Sequence, residues 1–260
     1  MFFAMPYSYS TLFWIAPMVF LGGLVDAVAG GGGLIALPAY LIAGLSPHHA
    51  IATNKLSSCI GTTVSTGRMI KNGCVDWPTA VPSAVLSVLG SMLGAKLILA
   101  VDERIVRYML LGVLPLAAFF VLKKRDLDSA APQSVDRRRQ FLVALTASLA
   151  VGVYDGFYGP GTGTFLLLAF TQLGKMDLRT ASGNVKITNL ASNAGSLLVF
   201  LLNGQAVLPL GLIASLFGIL GHYIGAGLLL KRGARFVRPV ILCVLALLFC
   251  RVIYDLAVGA

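Results

Sequence analysis

The chain has 260 residues, 57% of them hydrophobic and only 12% charged, with a mean hydropathy of +0.87. A soluble fold of this length has no way to hide that much apolar surface, so soluble enzymes and soluble binding modules are excluded first. The net charge of +10 is carried by Lys and Arg standing mostly between apolar runs, where they read as topology signals rather than as a footprint for nucleic acid.

In chain order, apolar runs fall at 11–29, 34–45, 50–70, 78–100, 105–122, 141–158, 164–174, 180–202, 209–230 and 239–258. The first has no basic residue before it and leads straight into more apolar sequence, so it reads as a first helix and not as a cleaved signal peptide. Most runs approach the roughly 20 residues a bilayer span needs. The runs 34–45 and 164–174 are too short and read as half-helices or arms of re-entrant pairs. Irregular backbone is not tolerated against lipid, so these breaks must face protein or a cavity. The fold class expected is therefore an all-α polytopic membrane protein.

The longest polar stretch, 123–140, holds Lys123, Lys124, Arg125, Arg137, Arg138 and Arg139. By the positive-inside rule it is cytoplasmic, which puts both termini outside. It divides the chain into a first transmembrane repeat over 1–122, a cytoplasmic linker over 123–140 and a second repeat over 141–260. Cys59, Cys74, Cys243 and Cys250 form no CxxC pair and read as packing residues. Trp14, Tyr40, Trp77 and Tyr108 read as aromatic anchors at the two interfaces.

A repeat underlies the division. Shifting the chain by 131 residues aligns Lys55 with Lys186, Ser65 with Ser196, Asn72-Gly73 with Asn203-Gly204 and Pro78 with Pro209. The same shift matches Gly90, Gly94 and Ala95 to Gly221, Gly225 and Ala226. Asp26 and Asp155 align if the second glycine-rich segment carries two extra residues. About five segments per repeat is an odd count, which implies two halves of inverted topology. Inverted repeats with short, interrupted segments are the organisation of secondary transporters, whose site lies near the midplane where broken helices meet.

The first break reads Asp26-Ala27-Val28-Ala29-Gly30-Gly31-Gly32-Gly33 and the second Asp155-Gly156-Phe157-Tyr158-Gly159-Pro160-Gly161-Thr162-Gly163-Thr164. Neither is a phosphate-binding P-loop, because no Gly-Lys-Ser/Thr follows. Glycine frees backbone amides, and a helix starting after it turns its positive end toward the gap, so Gly31, Gly32, Gly161, Thr162 and Gly163 are candidate anion donors. The plainer reading is that these glycines allow close helix packing. The next segments carry Asn54 and Lys55, then Asn184, Lys186 and Asn189. Lysine within a membrane helix is expensive unless it meets a partner or a watery cavity. Lys55 and Lys186 thus read as an anion-attracting pair with the asparagines as oxygen ligands, or else as snorkelling residues or partners of Asp26 and Asp155. The two aspartates, at helix C-terminal ends, are either proton carriers or caps of the following half-helices. His222 and Lys96 have Ser91 and Gly227 as repeat partners and fall outside this symmetric set. Together these residues predict a positively biased hollow halfway through the bilayer. Small-xxx-small spacings such as Gly90/Gly94 suit packing within one chain or between two, so a homodimer stays open.

Gly22-Gly23-Leu24-Val25-Asp26, Gly33-Leu34-Ile35-Ala36-Leu37-Pro38, Ala52-Thr53-Asn54-Lys55-Leu56 and the second glycine-rich break together resemble the TauE/SafE family of sulfite exporters, also called the toluene-sulfonate uptake permease family. Within it the chain most resembles the branch described only as probable membrane transporters. The resemblance covers all but the first ten residues and the central loop. It implies a multi-pass transporter of the bacterial cytoplasmic membrane for sulfur-containing oxyanions or organosulfonates, coupled to an ion gradient and working without a cofactor. By motif, Asn54, Lys55 and the first glycine cluster correspond to the family's first-half signature, and Asp155 with Gly159 to Gly163 to the second. The rival readings are a passive anion channel, a carrier of non-sulfur organic anions, and a membrane-embedded enzyme, which would need a nucleophile or metal set that the chain does not offer.

Overall fold

The computed structural model describes residues 9–106 and 136–232. Over these it is helical, without strands. The first half comprises α1 (Tyr9–Ala29), α2 (Gly33–Ile42), α3 (Pro47–Lys71) and α4 (Trp77–Leu99). The second comprises α5 (Arg137–Phe157), α6 (Thr162–Leu168) running into a π-helical turn at Ala169–Leu173, α7 (Leu178–Leu202) and α8 (Leu208–Arg232). The expected run at 239–258, most of that at 105–122, both termini, Tyr108, Cys243 and Cys250 lie outside the described residues.

Five of these helices, α1, α4, α5, α7 and α8, are long and apolar enough to cross a membrane. Helix α3 is as long as α7, 25 residues each, but too polar to qualify by composition. It buries its polar residues, Thr53, Asn54, Lys55, Ser57, Thr62, Ser65 and Thr66 among them, against the other helices. Helices α3 and α7 end alike. Asn72 and Asn203 turn their amides back onto the carbonyls of Arg68 and Val199, both at 2.8 Å. The glycines that follow, Gly73 and Gly204, take φ +64° and +67°, a left-handed cap that glycine adopts at little steric cost.

The short elements are short because glycine interrupts them. Gly30 has φ +78°, Gly159 +96° and Gly161 +86°, conformations that stop α1 and α5 and let a new helix start at another angle. The second short segment spans Thr162–Leu173 against Gly33–Ile42 in the first. Its two extra residues coincide with the π turn, which takes more residues per turn than an α-helix. Helix α5 begins at Arg137 and not at 141, because Asp136 accepts a bond from the Arg138 amide at 2.9 Å and caps it. The end of the expected linker, Arg137 to Arg139, is therefore the helix's first turn.

Packing crosses between the halves. Helix α1 lies along α8 and α4 along α5, while α3 packs on α8 and α4 on α7, with α3 against α7 in the middle. Small residues make the crossings. Gly90 closes on Leu149 and Gly152, Gly94 on Val153, Gly221 on Phe20 and Leu24, and Gly225 on Leu24. These glycine faces thus join helices of one chain, one of the two arrangements their spacing allowed. Val81, Val85, Leu89 and Leu93 on α4, and Leu212, Leu216 and Leu220 on α8, face outward, the i, i+4 stripe of a lipid-facing helix surface.

Candidate functional site

The two glycine breaks touch. A Cβ added to Gly30 would overlap the backbone of Gly163, and one added to Gly163 would meet the Gly30 Cα at 2.5 Å. Around this junction the four charged residues singled out in sequence form two ion pairs, each between the halves. Lys55 Nζ lies 2.6 Å from Asp155 Oδ1. Lys186 Nζ lies 3.7 Å from Asp26 Oδ2 and also donates to the Asp26 carbonyl. Both lysine side chains are 3% exposed and stand about 12 Å in from the first residues of α3 and α7. Snorkelling to an interface is thereby excluded.

The expected positive hollow is corrected by the same geometry. Two ammonium groups face two carboxylates, so the centre is neutral, as burial demands of charge without solvent. The space left beside Asp26, lined also by Ser57, Ser58, Gly218 and His222, is about 10 Å³, enough for about one water molecule.

The pairs differ in their surroundings. Asp155 is the better partnered: Oδ1 takes Lys55 and lies 2.7 Å from the Thr162 hydroxyl, whose proton the Gly159 carbonyl at 2.6 Å also competes for, and Oδ2 takes the Ser192 hydroxyl. Lys55 also donates to Asn193 Oδ1 at 3.2 Å. Asp26 has only the Gly32 amide on Oδ1 at 3.4 Å, and its Oδ2 is buried without a hydrogen bond. His222 Nε2 stands 3.8 Å from that oxygen, with its Nδ1 3.1 Å from Ser65 Oγ.

Of the candidate donors, Gly32 uses its amide on Asp26, Thr162 its hydroxyl on Asp155, and Gly163 its bare Cα against Gly30. Gly161 takes a left-handed φ at the N-cap of α6, and Gly31 lies in the turn before α2. Asn54 is buried beside Lys55 with its Oδ1 unpartnered. Asn189 is buried on α7. Asn184 Oδ1 accepts the Asp76 amide at 2.9 Å before α4, while its Nδ2 is buried without a hydrogen-bond partner. The matching Thr53 hydroxyl accepts the Val207 amide before α8 at 3.1 Å. The capping alternative for the aspartates fits Asp26 weakly, through Gly32, and fits Asp155 not at all, since Gly161 has no side-chain cap.

Two further expectations change. Tyr40 is no interfacial anchor; it is fully buried and donates to Ser57 Oγ at 3.0 Å, because the break before α2 tilts that helix into the core. Trp14 and Trp77 do face outward. His222, set aside as a lone histidine, and Ser192, not singled out, both belong to the site. Lys96 is exposed on α4. Among the described residues no group of His, Cys, Asp and Glu is arranged to hold a metal ion.

Comparison with known proteins decides the family. The family described as "Sulfite exporter TauE/SafE" matches residues 15–252. The chain belongs to the TauE/SafE family. The "Probable membrane transporter protein YfcA" of Escherichia coli (strain K12) is 35% identical over 260 residues, covering 95% of this chain and 94% of the relative. The "Probable membrane transporter protein ORF9" of Sinorhizobium sp is 33% identical, with 95% and 94% covered. A "Probable membrane transporter protein" of Haemophilus influenzae is 32% identical, with 91% and 92% covered. No solved structure matches. With its five candidate spans, this family member is a multi-pass membrane protein, and its family and relatives mark it as a membrane transporter rather than an enzyme.

Proposed function

We propose that this membrane transporter is a secondary carrier of small sulfur-containing oxyanions or organosulfonates across the bacterial cytoplasmic membrane. It works by alternating access between two halves of inverted topology. The observation that carries the reading is the pair of buried Lys–Asp bridges, each linking one half to the other, where the two interrupted helices meet. A rocking motion of one half against the other has to remake at least one of these bridges. A lysine freed in that motion is the natural partner for an oxyanion. An anion with several oxygens suits it, since the unpartnered Nδ2 of Asn184 and the glycine-rich turns offer N–H donors without further charge.

The gap beside Asp26 supports a carrier over a passive channel, because about 10 Å³ holds water but no anion of four or more heavy atoms. The family name supports sulfite and its relatives over carboxylates. A flux assay in proteoliposomes tests this with sulfite, thiosulfate, sulfoacetate and taurine against acetate and succinate. Saturable flux of sulfur anions that is lost in Lys55→Ala and Lys186→Ala is the expected result. Flux that prefers carboxylates defeats the substrate class, and normal flux in the double variant defeats the role of the lysines.

A further inference from the structure

The two bridges align across the repeat, yet three of the residues around them do not. Ser192, Thr162 and His222 occupy positions held in the other half by Gly61, Gly33 and Ser91. The first two engage Asp155. Opposite Asp26, glycines stand in their place, and Gly61 makes room for the His222 ring. Asp26 therefore keeps one oxygen with no hydrogen bond, next to a gap of water size. The Asp26 side chain is 14% exposed, against 3% for Asp155.

We propose that Asp26, together with His222, is the proton-binding site that couples transport to a proton gradient, and that Asp155 is a permanent structural partner of Lys55. The proposal deepens the transport reading above and rests on it for the word coupling. The step is a simple proton balance. A water molecule in the gap beside Ser57 and Ser58 delivers a proton to Asp26 Oδ2, the carboxylate becomes a neutral acid, and Lys186 loses the charge it faces. Lys186 is then a free cation for one oxyanion. When the anion leaves, Asp26 returns its proton to water, so one proton accompanies each anion.

The cations around Asp26 favour its carboxylate while the bridge is made, so the proton is taken up as the Lys186 contact opens. On the elements packed against α1, the charged or ionisable groups acting on Asp26 are Lys186 of α7 and His222 of α8, with Lys55 of α3 at longer range. Tyr40 of α2 is engaged with Ser57, and α6 has no ionisable residue. His222 is held by Ser65 through Nδ1, so its Nε2 points to Asp26. The 3.7 and 3.8 Å separations exceed a direct hydrogen bond, so neither Lys186 nor His222 ties up Oδ2.

Infrared difference spectroscopy of the full chain in nanodiscs, stepped in pH without any substrate, tests the assignment through the C=O band of a buried carboxylic acid. The expected result is one titrating band that is lost in Asp26→Asn, moved in frequency in Asp26→Glu and retained in Asp155→Asn. His222→Gln should keep the band but move its titration midpoint, and this variant decides the matter if Asp26→Asn does not insert. A band that survives Asp26→Asn, vanishes in Asp155→Asn or ignores His222→Gln overturns the proposal. Because no anion enters the measurement, failure of sulfur-anion flux alone would remove the substrate reading and leave the proton site standing.

Discussion

The Lys55–Asp155 bridge joins α3 to α5 and the Lys186–Asp26 bridge joins α7 to α1, but one is closed with hydroxyls and the other is left partly unsatisfied. Asp155 has three partners within hydrogen-bond reach, whereas the side chain of Asp26 has one long one. A duplicated scaffold supplies two places where a buried lysine must be neutralised. What grows around each place decides whether the charge is locked or movable. The better-partnered site resembles a structural ion pair, and the sparse one retains the freedom that exchange of a proton or an anion requires.

The largest effect should come from breaking the closed bridge. Removing one partner of a buried pair leaves an uncompensated charge, so Asp155→Asn should destabilise by about 3–5 kcal/mol. Asp26→Asn, which removes weaker contacts, should lose under about 2 kcal/mol. Chemical unfolding in mixed micelles measures both, and a reversed order would break the comparison. Replacing the closed pair together, as Lys55→Met with Asp155→Leu, should be milder than either single change.

Next in size is the junction itself. Gly30→Ala adds a side chain to a left-handed residue, about 1–2 kcal/mol, and drives it into Gly163, about 1–3 kcal/mol more. Gly44 has φ +90° with open space around it, so Gly44→Ala should show only the first of these losses. Equal losses at the two positions would mean that the breaks do not touch.

The two amide-holding side chains should behave alike in stability. Asn184→Ala and Thr53→Ala each strip the acceptor from a backbone N–H at the start of a neighbouring helix, and each should reduce stability by about 1–2 kcal/mol. Thr53→Ala should not change which anion is carried, whereas Asn184→Ala, which also removes the free Nδ2, should. An unchanged preference in Asn184→Ala would remove that residue from the anion site.

These sites also mark how far the residues could be read without coordinates. Helix class was legible, since hydropathy is a local signal. The two lysines were legible because buried ammonium groups are expensive anywhere in lipid. Their partners were not, because which carboxylate meets which lysine is a matter of distance, and the distances run between the halves. That Asn184 holds a helix start through Oδ1 while its Nδ2 stays free was not legible either, because an amide beside a buried lysine serves a substrate and a helix start equally well. Ser192 and His222 escaped for a different reason. Attention to matching positions favours what the halves share, whereas function here tracks where they differ, at Gly61 against Ser192 and Ser91 against His222.

The smallest effect concerns the face between α4 and α5, where Ser83, Ser87 and Ser148 bury hydroxyls that have no partner. The matching face between α8 and α1 carries Ala214, Gly218 and Val19. An unsatisfied buried hydroxyl carries a desolvation penalty of about 1–3 kcal/mol. Conversion to the sister residue, Ser83→Ala, or to alanine at Ser87 and Ser148, should therefore leave stability unchanged or raise it by up to about 1 kcal/mol. Flux measured on the same variants sharpens the contrast between the halves. If stability rises while transport slows, the hydroxyls find partners only after the halves rock, and the α4–α5 face is one that opens. If both stay level, that face is inert packing, and movement is confined to the α1–α8 side that carries Asp26 and His222.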